Sequence, residues 1–199
     1  MISTNAKRIS LRTIAKIGIL AAVSFVLMLF EVVIFPAVPF YKVDISQSVV
    51  MIGGFALGPF AAVIINFIKS LLHLTVSSSG GVGEIADFVT GICLTVPAAI
   101  IYKRKKTRGR ALIGMGVGII MMTTVAVLAN YYILLPFFSK MFHIDIADIV
   151  AMGTKMFPAI DNVFKFLLLC TAPFNFIKGV VCSLVCYLLY KRVSKVLHS

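Results

Sequence analysis

Acidic side chains are scarce in this chain. Its 199 residues carry seven aspartates and glutamates against nineteen lysines and arginines, a formal net charge of +12. Histidine is scarcer still, with His73, His143 and His198 scattered along the sequence. There is no G-x-x-x-x-G-K-[ST] phosphate loop, no G-x-G-x-x-G between a strand and a helix, no H-E-x-x-H and no G-x-S-x-G. These absences exclude a chain that hydrolyses ATP by itself, and they leave no nucleophile–base pair or metal set on which an enzyme would be built. The four cysteines lie in apolar runs. Cys182 and Cys186 stand four residues apart on one helix, which does not suit a disulfide, and no histidine accompanies them at ligand spacing. They are read as small buried residues.

What is abundant is apolar. Hydrophobic residues make up 60% of the chain and the mean hydropathy is +1.06, against roughly 45–50% apolar content in soluble domains. Spans of about 20 residues with short connections leave room for five or six transmembrane helices. The first apolar run is too long for a signal peptide, lacks a small-residue cleavage site and is followed by further spans. The basic residues then explain themselves. Lys7, Arg8, Arg12 and Lys16 precede the first span, six lysines and arginines crowd residues 103–110, and Lys191, Arg192 and Lys195 close the chain. All seven acidic residues fall in the intervals between these blocks. The positive-inside rule places such blocks in the cytoplasm, so the excess positive charge does not point to nucleic acid. The expectation is an all-α integral membrane protein: one domain over residues 1–199, six transmembrane helices, and both termini cytoplasmic. Residues 1–13 form the N-terminal segment, 103–110 a cytoplasmic loop and 137–165 an outer connection.

Along the chain, a first span is expected over residues 14–35, ending at Pro36 and Pro39. Its early turns carry Gly18 and Ala22, a small-xxx-small pair that serves either internal packing or close approach by another helix. A first outer loop follows, with Tyr41, Lys42 and Asp44. Residues 49–74 are longer than one span needs, and Gly58–Pro59 divides them into two helices, the second with Asn66 and Lys69 on one face. The run SSSGGVG at 77–83 reads as a flexible loop. Glu84 and Asp87 open the fourth helix, where carboxylates suit either the positive end of the macrodipole or a ligand. The fifth helix is expected to stop before Pro136, and the last to be kinked or interrupted at Pro173. Gly114 and Gly118 read as helix-packing positions.

One lysine stands apart. Lys178 lies inside an apolar run with Asn175 three residues before it, so on a helix the two side chains share a face. An ionisable side chain at membrane depth is costly unless it meets a cavity or a partner. With Asp44, Glu84, Asp87 and Asn130, the pair forms a polar set toward the outer half of the chain. Asn130, Asn175 and Lys178 either bond one another and nearby carbonyls, or present an array to a small molecule with an apolar body and a polar edge.

Five segments in order carry a family resemblance: YKVDIS at 41–46, IGGFALGPFAAV at 52–63, GGVGEIADF at 80–88, ANYYILLP at 129–136 and APFNFIKG at 172–179. The chain resembles the substrate-binding S components of energy-coupling factor (ECF) vitamin transporters, and within them the riboflavin-binding members. The resemblance implies a six-helix protein of the bacterial cell membrane that binds riboflavin from outside, with FMN or related flavins as further candidates. It implies three partners, a membrane coupling protein and two ATP-binding subunits, and riboflavin as transported substrate rather than cofactor. It assigns substrate binding to Asn130, Asn175 and Lys178, then to Val43 and Asp44 in the first loop and to Gly83 and Glu84. Small residues of the first helix meet the coupling protein in this family, and Gly18 and Ala22 are the nearest match. The alternatives are an S component for another vitamin such as thiamin or pantothenate, or a self-sufficient ion-coupled transporter using Glu84, Asp87 and Lys69 as a relay.

Overall fold

The computed structural model describes residues 10–198, with side chains through residue 190. Lys7 and Arg8, and the side chains of Lys191, Arg192 and Lys195, lie outside the described residues. Helix α1 (Leu11–Met28) starts where Ser10 Oγ accepts from the Thr13 backbone N–H at 3.2 Å, an N-cap that satisfies one orphan donor of the first turn. The chain then forms a two-stranded antiparallel hairpin, β1 (Val32–Val33) and β2 (Lys42–Val43), with Val32 opposite Val43. The first span therefore ends well short of residue 35. The β-branched run Val32–Val33–Ile34 with Pro36 and Pro39 favours a hairpin over further helix, and Lys42 comes back to pair with Glu31.

Helices α2 (Ser46–Leu57) and α3 (Pro59–His73) meet at Gly58, as the sequence suggested. Gly58 has φ +103°, a conformation open to glycine, and Pro59 starts α3 where its missing N–H costs nothing. Twelve residues of helix reach about 18 Å, short of a bilayer core of about 30 Å. Helix α2 is nonetheless the most enclosed element: ten of its twelve residues are buried, against α1, α3, α4 and α9. Helix α4 (Val82–Arg104) and helix α5 (Arg108–Ala129) flank the basic block, which narrows to a connection at 105–107. They make the most extensive helix pair among the described residues, and glycine brings their backbones together. A Cβ on Gly114 would stand 2.8 Å from the Ala98 carbonyl oxygen, and one on Gly118 would collide with the Leu94 carbonyl.

The helix expected to stop before Pro136 does not, and the last helix, expected to be kinked or interrupted at Pro173, changes its bonding just before that proline and continues. Residues Asn130–Leu134 form a π-helical turn that leads into α6 (Leu135–Phe142), so the helix runs on through Pro136. Helix α7 (Ile146–Thr154) follows, then α8 (Val163–Phe166), a second π turn at Leu167–Thr171, and α9 (Ala172–His198) through Pro173. A proline cannot donate to the carbonyl four residues back and clashes with it. Widening the preceding turn to i→i−5 bonding, Leu135 N–H to Asn130 O and Ala172 N–H to Leu167 O, relieves both problems without ending the helix. Residues 137–165, expected to form an outer connection, are largely helical, with the end of α6, all of α7 and most of α8 falling among them.

Among the described residues, five helical stretches are long and apolar enough to cross a membrane: Leu11–Met28, Pro59–Val76, Val82–Arg104, Arg108–Phe142 and Val163–Tyr190. Their outer faces carry exposed apolar side chains such as Leu11 (85%), Phe60 (67%), Ile120 (66%) and Leu188 (64%), while Lys69 and Asn66 are wholly buried. Apolar outside and polar inside is the arrangement a lipid solvent imposes.

Candidate ligand-binding cavity

Met28, Asp44, His73, Glu84, Asn130 and Asn175, all at or near ends of helices or in the loops beside them, face one cavity of about 430 Å³. That volume is within the range of small-molecule sites. Phe138, Phe174 and Leu134 give it flat apolar walls. Tyr41 comes in from the hairpin loop, stacks on Phe174 with ring centroids 4.6 Å apart, and bonds its hydroxyl to Thr171. Burial raises the Tyr41 phenol far above its ordinary value, so it stays neutral and keeps its donor.

The two π turns deliver the amides. Asn130 opens the first, and its Nδ2 donates to Ala126 O at 2.8 Å. Asn175 follows the second, and its Nδ2 donates to Thr171 O at 2.9 Å. Each amide spends one N–H on its own helix and keeps one N–H and its carbonyl oxygen, a donor–acceptor pair for a ligand edge. Neither amide is bonded to the other or to Lys178.

Lys178 is engaged with carboxylates instead. Its Nζ donates to Asp44 Oδ2 at 3.0 Å and to Asp87 Oδ1 at 2.8 Å. The other oxygen of Asp87 accepts from Lys69 Nζ at 2.5 Å and from Gln47 Nε2 at 3.1 Å. Asp44 Oδ1 accepts from the Ser46 N–H at 2.8 Å, where it supports the start of α2. Lys69 also reaches Ser46 Oγ at 3.2 Å, and Gln47 bonds Asn66 at 3.0 Å. Gly91 leaves the room: a Cβ there would strike the Gln47 amide. Asp44, Lys69, Asp87 and Lys178 are all buried, and each charge has a partner, as low dielectric requires.

Toward the mouth, Glu84 organises the loop. His73 Nδ1 lies 2.8 Å from Glu84 Oε1, and the hydroxyls of Ser77 and Ser79 each donate to Oε2 at 2.9 Å. Ser79 Oγ also accepts from the Gly83 N–H at 2.9 Å. The SSSGGVG run read as flexible is therefore pinned by one carboxylate. Lys42 bridges Glu31 in the hairpin and Ser78 in this loop.

Of the residues singled out in the sequence, Asn130, Asn175, Lys178, Asp44, Gly83 and Glu84 line the cavity. Val43 is half-buried in β2, packed against the apolar cluster that contains Val38, Tyr41 and Phe174, and does not line it. Gly18 and Ala22 are exposed on α1, away from the site, with nothing within 4 Å of a Cβ placed on Gly18. Sequence reasoning missed His73 as the partner of Glu84, and it missed Ser46 and Gln47. The signal for the latter was present: SQS at 46–48 is a polar run opening an apolar helix. The cysteines are free, with Cys170, Cys182 and Cys186 buried. Among the described residues no cluster of histidine, cysteine and carboxylates is placed to hold a metal.

A short, enclosed α2, long apolar helices around it and one polar-floored cavity near their ends define a small-molecule-binding membrane subunit. The sequence model of the ECF transporter substrate-specific component matches residues 12–190, and the chain belongs to that family. It is 31% identical over 181 residues, 91% of this chain and 89% of the other, to the riboflavin transporter RibU of Staphylococcus aureus (strain TCH60). It is 27% identical over 181 residues to the riboflavin transporter FmnP of Bacillus subtilis (strain 168), covering 89% of each chain. Among solved structures, the S component of a bacterial ECF transporter superposes with a TM-score of 0.72 at 29% identity, covering 94% of this chain and 98% of that one. The chain is a multi-pass protein of a bacterial cell membrane.

Proposed function

We propose that the chain is the riboflavin-binding subunit of an ECF transporter, which takes riboflavin from outside the cell and moves it inward with an ATP-driven module. The observation that carries this reading is the cavity itself. Two asparagines each offer a donor–acceptor pair, Lys178 offers a further donor, and phenylalanines flank them. The pyrimidine edge of isoalloxazine alternates carbonyl acceptors with an N–H, which this set can read, and its ring faces suit apolar walls. Similarity over about nine-tenths of the chain to proteins named riboflavin transporters supports the same substrate. Asn130, Asn175 and Lys178 contact the ring, Glu84 and Gly83 form the mouth, and Asp44 acts beneath the ligand through Lys178.

In this reading α2 counts as a sixth, short crossing, so six passes return the C-terminus to the side of the N-terminus. Both lie in the cytoplasm with the 103–110 block, and the cavity faces outward. Energy comes from a membrane coupling protein and two ATP-binding subunits, and the exposed Gly18 and Ala22 on α1 give a smooth surface for the coupling protein.

The test is the purified chain's absorbance after loading with riboflavin. A stoichiometric yellow complex, unmoved by excess thiamin or pantothenate, is the expected result. Displacement by another vitamin would transfer the same architecture to that substrate. Uptake that proceeds without ATP-binding partners and collapses with an ion gradient would favour the relay of Glu84, Asp87 and Lys69 instead.

A further inference from the structure

Lys69 is wholly buried, yet it does not line the cavity. Its ammonium meets Asp87 and Ser46 and is set behind Asp87 as seen from Lys178. A buried lysine is costly, so its presence at that point calls for a role that a neutral side chain would not fill. The charges supply one. Asp44 and Asp87 bring two negative charges to the floor, and Lys69 and Lys178 bring two positive ones.

We propose that Asp87 and Lys69 are positioning residues for Lys178, and that the four-charge cluster they complete with Asp44 makes the cavity floor neutral, so that it selects a neutral hydrogen-bonding edge and offers an anionic one no counter-charge. The inference rests on the riboflavin reading above. Lys178 has three N–H groups on a flexible stem. Two are fixed by carboxylates from different elements, Asp44 ahead of α2 and Asp87 on α4, which leaves the third for the cavity. Asp87 can hold Lys178 in this way only while Lys69 and Gln47 occupy its other oxygen. Without Lys69 the floor would be net negative, and Lys178 would be drawn toward its carboxylates and away from the ligand. Without Asp87 the floor would be net positive, and an anionic ligand edge would be favoured.

The flavin ring reports on this directly. Its imide N–H lies between two carbonyls and ionises in alkaline solution with a change in absorbance. A net positive floor stabilises the ionised ring and a net negative floor opposes it. The titratable groups facing Lys178 are Asp44 from the segment before α2, Lys69 from α3, Asp87 from α4 and Cys182 from α9 itself. Helix α5 and its π turn contribute the uncharged Asn130, and Tyr41, Glu31, Lys42, His73 and Glu84 also line the cavity without a bond to Lys178.

The experiment loads the full chain with riboflavin in a Cys182→Ser background, which removes thiol ionisation, and follows absorbance as pH rises. Asp87→Asn is expected to lower the pH at which the bound ring ionises, Lys69→Met to raise it, and the double variant to return it close to that of the background protein. Each single variant is also expected to weaken binding at neutral pH by roughly tenfold or more, the scale of a displaced buried donor, with partial recovery in the double. If Asp87→Asn does not fold, the upward shift in Lys69→Met and its reversal in the double variant decide the matter. Single variants that bind more weakly while the ring ionises at an unchanged pH would overturn the inference and leave the riboflavin reading standing. A full chain with Cys182 in place that takes up no riboflavin would overturn that reading, and the inference with it.

Discussion

Helices α4 and α9 each pass through two different interiors. Near the cavity they meet through Asp87 and Lys178, with Asp44 and Lys69 closing the cluster. Farther along, the same two helices contribute Leu94, Ala98, Cys182 and Cys186 to an apolar core with Met51, Phe55 and Met122. At the first level the contacts are few, directional and charge-balanced. At the second they are many, non-directional and set by shape, with Gly114 and Gly118 of α5 letting backbones approach. In a membrane, apolar side chains gain little by leaving lipid for protein, so the second level holds through close packing. The first level holds because an unpaired charge there would be prohibitive. In the proposed reading ligand recognition rests on the charged level, which a single atom can unbalance, while the apolar level serves helix packing and tolerates no group of the wrong size.

The widest break in that comparison is Lys178→Ala. In the proposed reading it removes a ligand donor, and it strips a cation from two buried carboxylates at once. Breaking buried pairs of this kind costs about 3–5 kcal/mol of stability, and losing the donor is expected to weaken riboflavin binding by about 1–3 kcal/mol. The thermal midpoint should fall and Kd should rise, and an unchanged Kd would remove Lys178 from the site. Gly118→Val should separate the two readouts. Its side chain meets the Leu94 carbonyl, and overpacking of this sort costs about 1–3 kcal/mol. The thermal midpoint should drop while Kd stays put; a large loss of affinity would mean that the apolar level also shapes the cavity.

Asn130→Ala and Asn175→Ala probe the first level from the other side. Each asparagine spends one N–H on its own helix and offers the rest to the cavity, so neither holds two elements together. Each substitution should weaken riboflavin binding by about 1–2 kcal/mol with little change in thermal midpoint, measured by calorimetry and by thermal unfolding of the unliganded protein. Equal losses of stability and affinity would show that the amides serve the π turns rather than the ligand.

The apolar level was largely legible in the sequence, because glycine spacing at 114 and 118 and the Gly58–Pro59 break act locally. Lys178 with Asn175 was legible for the same reason, being three residues apart on one helix. The partners of Lys178 were not. Asp44 and Asp87 are 134 and 91 residues away, and nothing local says which buried cation meets which carboxylate. Proline misled at 136, since a breaker signal does not distinguish a helix end from a π turn that carries the helix onward. Glycine and serine misled at 77–83, where a composition that suggests flexibility folds around Glu84. The first strand of the hairpin, Val32–Val33, was absorbed into the first span because an apolar β-branched run continues the hydropathy of a helix, and the second, Lys42–Val43, was read as loop.

The rim should give the smallest effect of all. Lys42 pairs with Glu31 across the hairpin and donates to Ser78 at 3.0 Å across the mouth, and the side chains of the pair are 28% and 24% exposed. Ion pairs open to solvent are worth about 0–1 kcal/mol and are screened by salt. Lys42 does not belong to the neutral cluster, so its loss leaves the floor's charge as it was. Lys42→Ala is therefore expected to speed riboflavin release by at most about fivefold, with the difference shrinking as salt is raised and the ring's ionisation unmoved. Stopped-flow release of bound flavin measures it. A salt-insensitive acceleration far beyond that range would place the rim on the same footing as the floor, with the bridge between hairpin and loop holding the ligand in rather than merely resting over it.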